Sequence, residues 1–151
     1  MFTVAGIPAH PLLVHAVVVL VPLAALGSVA VAVRPGWSRP YGLLVAAGAL
    51  AGAGAATLAR FAGEQLEDAI EITPGFQPVI DQHERFGLFT VFASWPFAVL
   101  AIAAIVLARR GDGRWSRVTG ALAAVAGVVA VVATVLAGHS GSAAVWGDVV
   151  G

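Results

Sequence analysis

The chain has no cysteine, no lysine and little charge of any kind. Without cysteine there can be no disulfide, no thiolate metal site and no cysteine nucleophile. Charged residues make up 11% of the 151 positions, against about 25% in an ordinary soluble domain. So small a share cannot cover a water-facing surface. The eight basic residues, all arginine, balance eight acids, and no basic patch is present to hold nucleic acid. What fills the chain instead is apolar side chains, 60% of the total. The bias to Ala, Gly, Val and Arg points to a GC-rich bacterial genome.

Four stretches carry no charge and have the length that a hydrocarbon core of ~30 Å demands. They run from about residue 11 to 33, 41 to 59, 86 to 108 and 118 to 138. The expected fold is all-α, a four-span antiparallel transmembrane helical bundle in one domain, residues 1–151. Residues 1–9 lack the positive start of a secretory signal, so the first apolar segment is expected to be retained. Pro22 and Pro96 lie inside spans and are expected to kink them. Gly48 and Gly52 form a Gly-x-x-x-Gly pair, suited to close helix packing or to a flat wall against a planar cofactor. Glu64, Glu67, Asp68 and Glu71 share one helical face, which predicts a short amphipathic extracytoplasmic helix lying at the membrane surface. No strand is expected. Gly138-His139-Ser140-Gly141 reads as a helix end followed by a turn.

Arginine is retained on the cytoplasmic side of bacterial membranes. The loop after the first span holds Arg34 and Arg39, and the loop after the third holds Arg109, Arg110, Arg114 and Arg117. Antiparallel spans put both loops on one face. The opposite face keeps only Arg60 and Arg85, with seven acids, Asp148 included. This predicts a multi-pass protein of the bacterial inner (plasma) membrane with both termini extracytoplasmic. His10 and His15 open the first span, His83 precedes the third and His139 closes the fourth. All four histidines are therefore expected beneath the outer surface.

His10-Pro11-Leu12-Leu13-Val14-His15, a histidine at the start of the third span, and the closing run Gly138-His139-Ser140-Gly141-Ser142-Ala143-Ala144-Val145-Trp146-Gly147 together resemble the bacterial membrane family catalogued as domain of unknown function 2231. The resemblance covers essentially the whole chain, and the closing run is its most specific part. Members often follow the second histidine with Phe-Pro, where this chain has Ala16-Val17. The resemblance implies the fold and the membrane location. Some members look fused to Rieske-type iron–sulfur domains, which implies a redox setting. This chain has no cysteine to build such a domain.

Three functional readings follow. The preferred one is a redox-linked protein binding heme b, since imidazole ligates heme iron axially. His15, within a span, would be one ligand and His83 or His139 the other, with His10 nearby. Arg60 and Arg85 would pair with the propionates. The second is a zinc or copper site built from His10, His15, His83 and His139, with Glu64 and Glu84 as further ligands. His10 and His15 lie about 140° apart around a helix of 3.6 residues per turn, so sharing an ion would require His10 to lie outside the regular helix. The third is a cofactor-free accessory subunit of a larger membrane complex or of a redox partner, embedded in the lipid bilayer. No nucleophile–base pair and no phosphate loop is present, so the chain is expected not to be an enzyme on its own.

Overall fold

The structure, a computed structural model, describes residues 2–150, with side chains as far as Trp146. Asp148, counted above among the acids, lies outside the described side chains. Four long helices follow one another: α1 (Ala9–Val33), α2 (Ser38–Glu67), α3 (Gln77–Arg109) and α4 (Gly113–Val150). All four are long and apolar enough to cross a membrane. Each packs against its neighbour in the chain, and α1 closes the ring against α4.

The helices outrun the apolar stretches that define them. At 1.5 Å per residue, the 33 residues of α3 reach about 50 Å, well beyond a hydrocarbon core of ~30 Å. Backbone hydrogen bonding therefore continues past the apolar limits. The expected separate amphipathic helix is not present: Glu64 and Glu67 lie on the last turns of α2, Asp68 caps it, and Glu71 falls in the connection beyond, because the backbone bonds of α2 run on past its apolar part and stop there. On the other side of the connection, α3 starts at Gln77, nine residues before the expected third span. The expected turn at Gly138–Gly141 is helical too, inside α4.

Before α1 lies a feature that the sequence reading lacked. Thr3–Val4 (β1) and Ile7–Pro8 (β2) pair antiparallel, Thr3 opposite Pro8 and Val4 opposite Ile7. Ala5 and Gly6 turn the hairpin at φ +50° and +80°, the paired positive φ of a tight hairpin turn. Ala9 N–H donates to Phe2 O at 3.0 Å, which ties the hairpin to the start of α1. Two-residue strands are too short for an alternating pattern to show.

The interior is built from small residues. Ala24, Ala25, Ala49, Ala53, Ala98, Ala101, Ala130 and Ala133 are buried, around Val21 and Phe97 as the largest enclosed apolar side chains. The large residues point outward: Leu44 is 73% exposed and Phe92 68%. That inversion suits lipid, where association comes from close packing rather than from hiding apolar surface from water. Gly52 and Gly48 of α2 meet Val21 and Ala24 of α1. The glycine pair is therefore a helix–helix contact, and the wall proposed for a planar cofactor is already filled.

Candidate functional site

At one end of the bundle the N-terminal ends of α1 and α3 meet the C-terminal ends of α2 and α4. Two histidines dock there in the same way. His10 of α1 donates from Nδ1 to the carbonyl of Ala59 in α2, at 2.8 Å. Its ring lies over Gly63, where a Cβ would stand 2.9 Å from Nδ1. His83 of α3 donates from Nδ1 to the carbonyl of Ala137 in α4, at 3.1 Å. Its ring lies over Gly141, where a Cβ would stand 2.9 Å from Cε1. A carbonyl only accepts, so in both rings Nδ1 carries the proton. Ser140 completes the second arrangement: its hydroxyl donates to Ala137 O at 3.0 Å and accepts from His83 Nδ1 at 3.1 Å.

The likeness of the two arrangements is written in the sequence. Trp37-Ser38-Arg39 and Trp115-Ser116-Arg117 stand at the starts of α2 and α4. Counting from each tryptophan, Ala59 and Ala137 fall at the same place, and so do Gly63 and Gly141. Each helical hairpin thus latches its first helix to its second by a histidine over an Ala-x-x-x-Gly step. The two rings come together across the bundle, with centroids 5.9 Å apart and planes at 86°, edge to face.

The other two histidines stand apart from this pair. His15 lies on the exposed side of α1, its Nδ1 donating to Pro11 O at 2.6 Å in its own helix. His139 is exposed on α4. Arg60 is paired with Glu64 at 2.7 Å and Glu84 at 3.3 Å. Its Nη1 is buried without a partner. Gln77 donates to Asp81 at 2.9 Å. Arg85 is exposed.

These positions correct the heme and metal readings, and with them the idea of a four-histidine cluster. Among the described residues, no group of three or more His, Cys, Asp or Glu side chains is arranged to hold a metal ion. Of the candidate ligands, His15 and His139 lie outside the pair, while Glu64 and Glu84 are engaged by Arg60. The assignment of heme b to His15 with His83 or His139 fails because His15 faces away from the bundle interior. Arg60 is spent on carboxylates and is not free for propionates. The cavity at this end measures about 170 Å³. An enclosed space of about 150 Å³ holds a single benzene ring, so the enclosed part of this cavity is on the scale of one small ring.

His10 and His83 both line that cavity, beneath the α2–α3 connection, which contributes Ile70 and Ile72. Arg60, Glu64 and Glu84 lie along it, as do Thr90 of α3 and Thr134 of α4. Both threonine hydroxyls donate to their own helices, Thr90 to Phe86 O at 2.9 Å and Thr134 to Ala130 O at 2.8 Å.

The family model described as "Predicted membrane protein (DUF2231)" matches residues 6–151. The chain belongs to this family. It is a multi-pass membrane protein, as the match and the four apolar helices together require. No curated protein and no solved structure matches the chain. For this member of the family, the residues that organise the polar end are Ala59, Gly63, Ala137, Ser140 and Gly141; the sequence marks Ser140 and Gly141 only as part of a turn, and Ala59, Gly63 and Ala137 not at all. The repeated Trp-Ser-Arg is the signal that points to them.

Proposed function

We propose that this protein is a cofactor-free accessory subunit of a larger membrane complex in the bacterial inner membrane, with both termini extracytoplasmic. The observation that carries the reading is the use made of His10 and His83. Each spends its Nδ1 proton on the backbone of a neighbouring helix, which is the work of a packing residue. Partner contact then falls to the outer faces of the helices, where large apolar side chains such as Phe89, Phe92 and Trp95 of α3 are exposed. The orientation rests on the arginines: six lie at the end opposite the histidine pair, in or beside the α1–α2 and α3–α4 connections, and two lie at the histidine end.

Native mass spectrometry of the protein released from its own membranes in mild detergent tests the reading. The expected result is an assembly larger than the 15.2 kDa chain, with at least one other membrane subunit at fixed stoichiometry and no heme absorption. Release as a free monomer, under conditions that keep other membrane complexes intact, overturns it.

A further inference from the structure

The cavity between the helix ends has a chemical bias that goes beyond an accessory role and stands independently of it. Its walls are mainly apolar, with Val14, Val17, Ile72 and Ile80 among them. The polar atoms along it are acceptors. His10 and His83 donate from Nδ1 to Ala59 and Ala137, so the neutral form of each ring has its lone pair on Nε2. Neither Nε2 is among the sealed, unpartnered atoms of the protein. Thr90 and Thr134 have given their hydroxyl hydrogens to Phe86 and Ala130. Among the described residues, Arg60 is the one side-chain donor group along the lining. Its Nη2 is held by two carboxylates, and its Nη1 is buried out of reach of water.

A ligand that brings only acceptors, such as a ketone or an ester, meets no donor side chain but the guanidinium of Arg60, already committed to two carboxylates. An ammonium ion would lose its hydration against apolar walls, and the carboxylates along the lining are already engaged, Glu64 and Glu84 by Arg60 and Glu67 by Gln77. A neutral hydroxyl fits, because it supplies the hydrogen that two imidazoles lack. The volume sets the rest. About 170 Å³ compares with the space that holds one benzene ring. We propose that this cavity binds a hydroxyl-bearing aromatic ring of about the size of phenol, its O–H donating to Nε2 of His10 or His83. The ring can be a free phenol or the head of a membrane-dissolved hydroquinone whose chain leaves through the open side.

Nitrogen NMR on protein carrying ¹⁵N-histidine in detergent micelles tests this, with resonances assigned through His15→Gln and His139→Gln. Phenol is expected to shift the Nε2 signals of His10 and His83 saturably and to leave His15 and His139 in place. Toluene, the same ring without a donor, is expected to leave Nε2 unmoved. Competition by decylhydroquinone identifies the membrane-dissolved source, and binding of phenol alone identifies the free one. His83→Phe is expected to weaken phenol binding about tenfold, the loss of one hydrogen bond. Ile80→Trp fills the cavity without touching either histidine bond and is expected to abolish the shift. If Ile80→Trp fails to fold, Val14→Phe carries the same test. The proposal is overturned by equal, unsaturating shifts at all four histidines, by a toluene response equal to that of phenol, or by no shift at all. It is overturned equally by a folded, cavity-filled variant that still binds.

Discussion

Gly141 of α4 lies against the imidazole of His83 so closely that a methyl group there would stand 2.9 Å from Cε1. Glycine inside a helix costs up to about 1 kcal/mol relative to alanine, and here the close approach of the ring accounts for it. Gly141→Ala is expected to destabilise the bundle by about 1–3 kcal/mol through overpacking. Gly63→Ala, beneath His10, is expected to act likewise. Gly138 has open space around the same position, so Gly138→Ala is expected to gain up to about 1 kcal/mol. Unfolding by sodium dodecyl sulfate in mixed micelles reads all three. Equal effects at 138 and 141 would remove the steric argument.

The histidines divide into inner and outer pairs, and substitution should show it. His10→Phe and His83→Phe each lose a bond to a neighbouring helix and leave a carbonyl of α2 or α4 with one fewer partner. About 0.5–1.5 kcal/mol is expected for each. His15→Phe and His139→Phe change exposed side chains and are expected to stay within about 0.5 kcal/mol of the parent. The same unfolding titration measures them, and a large loss at His15 would contradict the assignment of its face.

Metal should be immaterial to stability. A ligand that binds only the folded state raises stability by about 2.7 kcal/mol at a hundred times its Kd. With no three-ligand group among the described residues, added zinc or copper is expected to leave the unfolding midpoint where it was, and chelator is expected to do the same. A midpoint that rises with metal and falls with chelator would refute this.

Ser94 is fully buried in α3, and its hydroxyl has no hydrogen-bond partner. Thr90, one turn earlier, back-bonds to its own helix, and Ser94 does not. An unsatisfied buried hydroxyl costs about 1–3 kcal/mol. Ser94→Ala is therefore expected to raise stability, by about 1 kcal/mol, in the same titration. A loss of that size would mean that the hydroxyl has a partner after all.

The absence of cysteine makes the orientation easy to measure, because any introduced thiol is unique. Gln82→Cys, beside the histidine pair, is expected to react with a membrane-impermeant maleimide on intact cells. Arg114→Cys is expected to react only after the membrane is opened. The opposite pattern would invert the topology.

Much of this protein could be read without coordinates. Charge-free stretches of fixed length named all four helices, because burying a charge in hydrocarbon is costly wherever it falls in the bundle. Helix ends were harder. The spacing of the acids suggests a helix of its own, whereas only Glu64 and Glu67 are helical and they belong to α2, since spacing reports a face and says nothing of where a ladder of backbone bonds stops. The hairpin at Thr3–Pro8 left no trace of pattern in strands of two residues. The glycines at 138 and 141 read as a turn in sequence, because glycine favours turns and helix ends alike, and nothing in the line of the chain shows that Gly141 is the seat of a ring from another helix.

Composition and the placement of arginine, both properties of the chain as a line, were sufficient for the membrane and for four spans. They also grouped the histidines towards one end. Which of those histidines meet was decided only in three dimensions. His10 and His15 differ by about 140° around α1, so one turns inward and the other outward, and the rotation of α1 is set by how its small residues seat against α2 and α4. That packing brought His10 beside His83, turned both Nδ1–H groups to neighbouring backbones, and left a small cavity between the helix ends.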